Sequence, residues 1–578
     1  MVNIKIDGKE YQVPRDTTIL KACEAASIDI PTLCYLEGIS EEGSCGVCVV
    51  EVKGTRTLQR SCITKVREGM EIFTNTPTVR EARKVNLELT LAHHDIACPT
   101  CVRDGNCELQ DVANRLGVKE VSFDKIPSPY EKDDSGPIVR DPGKCIYCRR
   151  CVSVCEEVQS VNALTVANRG IKTYIGAPFG NLLIDTPCVN CGQCIMDCPT
   201  GALTERDDTE RVWNALASPD KYVVVSTAPA IRASMGELFG LPAGTFVRGK
   251  VATALKMLGF KKIFDTNFTA DLTIVEEATE VIERIKNNEK IPTFTSCCPA
   301  WIKYLEEYYP EFIPNLSTCK SPQQMMGALV KTYFAEKAGI PKEKIFHVSV
   351  MPCTAKKYEA DRPEINSSGI KDVDVVLTTR EMGRMIKQAG IDFVNLPDSD
   401  YDIPLGEYSG AGTIFGATGG VMESALRSAY EMLSGKTLTD VEFKSVRFLE
   451  GVKFAEVDID GSKIRVGVAH SLGKAKELMD MVKAGEVKIH FIEVMACKGG
   501  CIGGGGQPIP TTDEIRLKRS NALYKDDEER KIRKSHENPY IKKLYEEYLG
   551  KPGSEKAHHL LHTHYVKREL WEKVKSNV

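Results

Sequence analysis

A multidomain protein mixing the α/β and α+β classes is what the sequence predicts, on three observations. Up to about Asp207 short alternating strands and helices are threaded among tight cysteine repeats. Beyond it, apolar runs such as YVVVSTAPAI, KIFHVSVMP and KIHFIEVMA alternate with helical stretches such as TIVEEATEVIERIKNN, the rhythm of sheets covered by helices. A chain of 578 residues, 42% hydrophobic and 27% charged, is also long and apolar enough for several cores.

Composition excludes some classes. Net charge is −4 from 76 basic and 80 acidic residues, so no whole-chain field points to nucleic acid. No run reaches the ~18 apolar residues of a membrane helix, so no membrane insertion is expected. The start MVNIKIDGKEYQV alternates like a strand rather than forming a basic and apolar leader, which predicts a cytoplasmic protein. The 22 cysteines fall largely in C-x-x-C repeats, which in that compartment read as metal sites rather than disulfides.

Residues 1–78 form the first expected domain, with strands VNIKI and CVVEV around the helix-like TILKACEAASI. Cys34, Cys45, Cys48 and Cys62 supply four thiolates, suited to a [2Fe–2S] cluster in a β-grasp, ferredoxin-like fold, although the first gap is ten residues where plant-type ferredoxins have four. Zinc is the alternative; glycine and serine in EEGSCGVC favour a cluster, because their N–H groups can turn toward inorganic sulfide. Cys23 lies on the helical segment as a core residue. Residues 79–125 are largely helical and offer His94, Cys98, Cys101 and Cys107, spaced H-x3-C-x2-C-x5-C. By ligand type this His/Cys3 set holds zinc or a [4Fe–4S] cluster equally well, and His93 is a rival ligand.

The third domain, 126–208, carries the strongest local signal. Cys145, Cys148, Cys151 and Cys155 follow C-x2-C-x2-C-x3-C, and Cys188, Cys191, Cys194 and Cys198 repeat it, followed by Pro199. This duplication marks a ferredoxin-like domain with two [4Fe–4S] centres, the fourth cysteine of each run serving the other cluster. Glu156 replaces the usual proline after the first run.

Residues 209–578 form one large α/β domain in two lobes. Three of its apolar strands end in cysteine motifs: PTFTSCCPAW, VSVMPCTAKKYEADR and EVMACKGGCIGGGGQP. Ligands of α/β folds gather beyond the carboxyl ends of strands, so Cys298, Cys353, Cys497 and Cys501 are expected to converge on one crevice. The GGGG lacks a following G-K-[ST] and is no phosphate loop; close backbone approach to a cofactor is its expected use. Glu277, Glu280 and Arg284 share one helix face, a pattern most often solvated surface. His558, His559, His562 and His564 near the end read as packing or a solvated helix face.

TSCCP, MPCTAKKYEADR, the EVMAC and GGC motifs with GGGGQP, and GEYSGAGTIFGATGGVMESALRSA together resemble the iron-only, or [FeFe], hydrogenases, in the multi-cluster clostridial arrangement. The resemblance implies an H-cluster: a [4Fe–4S] cubane on Cys298, Cys353, Cys497 and Cys501, the last bridging to a two-iron subsite with CO, cyanide and azadithiolate. It implies three accessory [4Fe–4S] clusters, one [2Fe–2S] cluster, and reversible reduction of protons to H2 with electrons from ferredoxin or a similar redox protein. The same resemblance makes Cys297 a proton donor to the bridging amine, fed through Glu277, Ser317, Glu280 and Arg284. A thiol pKa near 8.5 suits such exchange. Lys356, Met351, Met495, Pro229, Phe415 and Gln323 match positions lining the two-iron subsite, where the lysine ammonium would donate to cyanide. Ala300 stands where glycine is usual, and Lys498 is a second departure that bears on the pocket. Maturation proteins are implied, since no side chain supplies CO or cyanide. The rival readings are an iron–sulfur scaffold, an electron-wiring protein or an H2 sensor; retention of Cys297, Lys356 and the acidic stripe speaks against a scaffold.

Overall fold

A computed structural model describes residues 1–403, 405–447, 449, 451–459 and 461–570. The end of the expected large domain, 571–578, lies outside the described residues. The chain divides into two compact units, one of Met1–Val158, Asn162–Thr186 and Asp197–Thr204, the other of Gln159–Val161, Pro187–Met196 and Glu205–Val578. Cys188, Cys191 and Cys194 therefore belong to the larger unit, and Cys198 to the smaller.

In the smaller unit a five-stranded sheet has the order β2-β1-β5-β3-β4, from β1 (Val2–Ile6), β2 (Lys9–Val13), β3 (Val49–Val52), β4 (Gln59–Arg60) and β5 (Glu71–Phe73). Strands β1 and β2 pair antiparallel through Asp7-Gly8, both at positive φ, as a two-residue hairpin requires. Alternation along β1 turns Val2, Ile4 and Ile6 inward onto α1 (Ile19–Ala25), whose Cys23 is fully buried. Helix α2 (Pro77–Ala92) starts at Thr76, which caps the Val79 N–H, with Pro77 in the first turn. With α3 (Glu108–Arg115) it encloses a second small core around Leu33, Val47, Leu87 and Leu109.

The larger unit holds two sheets. The first is parallel throughout, in the order β7-β6-β9-β10, from β6 (Tyr222–Thr227), β7 (Lys262–Asp265), β9 (Ile345–Met351) and β10 (Val375–Thr378). The second has the order β8-β13-β12-β11, from β8 (Thr293–Phe294), β11 (Val452–Ile459), β12 (Ser462–His470) and β13 (Phe491–Met495), with β11 antiparallel to β12 and the rest parallel. The two expected lobes correspond to these sheets.

Helix α4 (Thr266–Asn287) serves both. Phe268, Leu272 and Val275 enter one apolar core, while Ala270, Ile274 and Val281 enter the other. Its first three turns are buried all round, which removes the solvated face that an acidic stripe would otherwise use. It begins at Asp265, which accepts the Asn267 N–H, and ends at Asn288 in the left-handed region.

Helix α8 (Gly420–Ser434) is tied to α9 (Asp513–Glu529) by a buried guanidinium. Arg427 donates to Glu423 at 2.7 Å and to both oxygens of Asp527 at 2.8 and 2.9 Å, all three side chains being inaccessible. Removing one partner strands buried charge, so Arg427→Met is expected to destabilise the larger unit by about 3–5 kcal/mol. A thermal unfolding midpoint unchanged from wild type would contradict this.

Candidate active site

Three strand ends deliver the cysteines. β8 runs through Thr295 and Ser296 to Cys297 and Cys298; β9 runs through Pro352 to Cys353; β13 runs through Ala496 to Cys497, with Cys501 four residues on. Cys298 is the N-cap residue of α5 (Pro299–Tyr308), and its Sγ accepts the Ala496 N–H at 3.4 Å, so strands β8 and β13 are joined at the thiol itself. Cys298, Cys353, Cys497 and Cys501 line one cavity of about 70 Å³ whose wall is almost entirely apolar. Burial raises all four thiols above their ordinary range, and repulsion from neighbouring cage thiols adds to it at Cys353, Cys497 and Cys501.

The same cavity is lined by Cys297, Lys356, Pro229, Gln323, Met351, Phe415 and Met495, so every residue expected there from sequence is brought together. Lys356 is the only cation among them. Burial lowers its pKa, and the Glu359 carboxylate more than offsets this; Nζ donates to Glu359 at 2.9 and 3.1 Å and to the Cys297 carbonyl at 3.0 Å. Glu359 went unnoticed in the sequence. It lies three residues after Lys356 on α7 (Ala355–Ala360) and also accepts from Ser321 and Gln323. Gln323 Oε1 accepts from Ser349, so its amide is committed to this scaffold at both ends.

One sequence expectation needs correcting. Gly504 lines the cavity, and the glycines of GGGG also approach protein backbone: a Cβ on Gly504 would sit 2.0 Å from the Pro352 carbonyl oxygen, one on Gly505 2.4 Å from that of Cys191, and one on Gly506 2.9 Å from the Cys353 nitrogen. They let the β13 loop lie against the β9 loop and the 191–192 segment. Lys498 does not bear on the cavity; it pairs with Asp513 at 2.7 Å in solvent. Ala300 is buried in the first turn of α5 without lining the cavity.

The acidic stripe is interior. Glu277 is 1% exposed, and among the described residues neither carboxyl oxygen has a well-formed hydrogen bond; burial first, then the nearby Glu280, push its pKa up to about 8, against a smaller lowering by Ser317 and the Ser296 N–H. Ser317 Oγ donates to Glu280 Oε2 at 2.8 Å, and the Arg284 guanidinium pairs with Glu280 while donating to the Asn315 and Leu316 carbonyls. Burial, then Glu277, push the Cys297 thiol well above its ordinary value. The expectation of a thiol titrating near 8.5 therefore fails: this thiol keeps its proton at neutral pH.

Segment 188–193 of the larger unit is fixed to the cysteine loops. Lys303 donates to the Cys188 carbonyl at 2.8 Å, Thr354 to that of Asn190 at 2.7 Å, and Gln193 to that of Gly503 at 3.1 Å. In the smaller unit Cys145, Cys148, Cys151 and Cys198 line one cavity. Cys48 and Cys62 lie 3.3 Å apart, and the His94 Nδ1 is buried without a hydrogen-bond partner among the described residues, whereas His93 Nδ1 contacts the Leu89 carbonyl.

The four-thiol cage fits a cluster better than a single ion. Thiolates sharing one zinc sit about 3.8 Å apart, since Zn–S is about 2.3 Å. Among the described residues the groups with three ligand atoms within 4.8 Å of one another are Glu280, Cys319 and His562, and Glu431, His536 and Glu537, neither of which contains an expected ligand. A cubane spaces its cysteines more widely, as an apolar cavity lined by four separated thiols requires.

Comparison with known proteins agrees. Residues 221–505 match the iron only hydrogenase large subunit, C-terminal domain, and 513–568 the iron hydrogenase small subunit. Residues 1–77 match a 2Fe-2S iron-sulfur cluster binding domain, 83–122 the NADH-ubiquinone oxidoreductase-G iron-sulfur binding region, and 144–202 a 4Fe-4S dicluster domain. The chain is 51% identical to the NADP-reducing hydrogenase subunit HndD of Solidesulfovibrio fructosivorans, over 98% of its own length and 99% of the relative's. It is 45% identical to Iron hydrogenase 1 of Clostridium pasteurianum, over 98% and 100%. The apo form of a variant of the [FeFe]-hydrogenase HydA1 from Chlamydomonas reinhardtii matches with a TM-score of 0.57 and 42% identity, covering 63% of this chain and all of that one. Ferredoxin-like iron–sulfur domains in one chain with an apolar, cysteine-caged cavity define a hydrogen-metabolising redox enzyme. The chain belongs to the iron-only, or [FeFe], hydrogenase family, and it interconverts protons and electrons with H2 at an H-cluster.

Glu359 orients Lys356 and, through its bond from Gln323, one further residue of the cavity wall. Glu359→Gln is expected to leave iron content unchanged and lower turnover by about 10- to 100-fold, the usual cost of losing a supporting partner. Wild-type turnover in that variant would contradict the positioning role.

Proposed function

We propose that residues 1–78 hold one [2Fe–2S] cluster on Cys34, Cys45, Cys48 and Cys62, and residues 79–125 one [4Fe–4S] cluster on His94, Cys98, Cys101 and Cys107. Residues 126–208 hold two [4Fe–4S] clusters on the eight cysteines of the paired runs, and residues 209–578 hold the H-cluster on Cys298, Cys353, Cys497 and Cys501. The carrying observation is the convergence of those four thiols with Cys297 and Lys356 on one apolar cavity. The unpartnered His94 nitrogen supports the second assignment, and the tethered 188–193 segment supports an electron path ending at the cage.

When bound, an H-cluster supplies an iron with an open coordination position where protons and electrons combine. The chain's own residues bind it and handle protons. Lys356 presents a fixed ammonium to anionic ligands in a dry wall, where a preset charge acts strongly. Met351, Met495, Phe415 and Pro229 exclude water. Glu277 is a carboxylic acid at neutral pH, because its raised pKa keeps the proton on below about 8, and so it can give a proton to a group inward and take one from outside. Cys297 gains a proton from Glu277 as it gives one up, a concerted hop that spares a buried thiolate. Ser317, Glu280 and Arg284 carry the path outward.

The electron partner is ferredoxin or a similar small redox protein. A relative named as a subunit of an NADP-reducing hydrogenase supports a second reading, in which electrons come through a companion subunit. Hydrogen evolution by the purified, matured chain with reduced ferredoxin, compared with NADPH, separates the two. Among the described residues no helix is long and apolar enough to cross a membrane.

Glu277→Gln keeps shape and removes the exchangeable proton. Its expected outcome is wild-type iron content and CO and cyanide infrared bands with turnover lowered at least ~100-fold; full turnover would refute the relay.

A further inference from the structure

The C-terminal histidines are not equivalent. His558, His559 and His564 are exposed, whereas His562, one residue beyond α10 (Glu555–Leu561), is buried at the outer end of the acidic stripe. Its Nδ1 lies 2.8 Å from Thr318 Oγ1, and that hydroxyl lies 3.2 Å from Glu280 Oε1. Its Nε2 lies 3.1 Å from Glu276 Oε2. Glu276 is itself buried and receives donors on both oxygens, the Tyr545 hydroxyl on Oε1 and the Gly553 N–H at 2.9 Å on Oε2.

The chain Glu280, Thr318, His562, Glu276 accommodates one mobile proton in two arrangements without moving a heavy atom. In the first, Glu280 is a carboxylate, the Thr318 hydroxyl donates to it, and an imidazolium donates from Nδ1 to Thr318 and from Nε2 to Glu276. In the second, Glu280 is a carboxylic acid donating to Thr318, Thr318 donates to Nδ1, and a neutral imidazole keeps only the Nε2–H toward Glu276. Every donor has an acceptor in both arrangements. The other titratable groups facing the ring are Cys319, whose Sγ lies 4.0 Å from Nδ1 and 3.8 Å from Glu280 Oε2, and His558, stacked on it with ring centres 4.6 Å apart; Tyr545 acts on it through Glu276.

We propose that Thr318, His562 and Glu276 form a one-proton reservoir on Glu280, the outer carboxyl of the relay; the inference rests on the relay proposed above. In discharge the Nδ1–H bond breaks, Thr318 Oγ1 takes that proton and releases its own to Glu280 Oε1, and no electron moves. During hydrogen formation the reservoir restores a proton to Glu280 after one passes inward through Ser317. During hydrogen oxidation it accepts the outgoing one. Glu276 acts by fixing the tautomer that leaves Nδ1 toward Thr318, and is a positioning residue.

The test is the pH profile of hydrogen evolution by matured holoenzyme carrying His562→Gln, Thr318→Val or Thr318→Ser, with Glu277→Gln measured alongside. The glutamine and valine variants break the chain from Glu280 to the ring, so their profiles should lie about 3- to 10-fold below that of wild type, with infrared bands kept. Thr318→Ser, which retains the hydroxyl, should restore the wild-type profile. If Glu277→Gln is inactive while the glutamine and valine variants keep the wild-type profile, the reservoir is refuted and the relay stands. If Glu277→Gln is active, the relay fails and the reservoir with it. A Thr318→Ser profile like that of Thr318→Val would show that only the packing of Thr318 matters, and would also overturn the reservoir.

Discussion

Four thiols brought together in one apolar cavity are the constraint around which the larger unit is organised. Burial raises the pKa of each, and neighbouring cage thiols raise those of Cys353, Cys497 and Cys501 further, so as thiolates they require a shared cationic core. Metal binding there is then coupled to the local fold, because the ligands must be deprotonated together with the ion's arrival. The geometry answers that requirement from two independent sheets. β9 belongs to the parallel sheet and β8 and β13 to the mixed one, and the cage exists only where their carboxyl ends meet. The close-packed backbones of Gly504, Gly505 and Gly506 are what allow the meeting.

Helix α4 is the second consequence. A helix shared by two apolar cores has no wet face over most of its length, so carboxyls on it either find partners or keep their protons. Both outcomes occur within five residues: Glu276 and Glu280 are supplied with donors, while Glu277 between them has no well-formed hydrogen bond among the described residues. One element thus lines the core and carries ionisable groups from the protein's edge toward the cavity. Lys356 shows the complementary solution, a buried cation held by Glu359 and a backbone carbonyl.

Much of this was legible in the sequence, for identifiable reasons. Strand-ending cysteine motifs announce where backbones converge, so the cage, and with it the lining by Met351, Met495 and Phe415, follows from local pattern and family resemblance. Glu277, Glu280 and Arg284 were legible as one helix face, but not their burial, because that depends on α4 lying between two lobes. Glu359 was visible only as one more Lys-x-x-Glu spacing, and such pairs are common on exposed helices. His562 was illegible: nothing in HHLLHTH distinguishes a ring packed on Glu276 from its solvated neighbours, and the contact spans 286 residues. The thiol of Cys297 misled because a model-peptide pKa says nothing about a desolvated site.

The central claim is that distant strand ends trap an iron–sulfur core rather than a single ion. Anomalous diffraction at the iron and zinc absorption edges, from crystals of protein matured to carry its cofactors, tests this most directly. The account predicts compact iron scattering bounded by the sulfurs of Cys298, Cys353, Cys497 and Cys501, with further iron on the side of Cys297 and Lys356. A lone zinc peak among those sulfurs, or iron absent from between them, would contradict it.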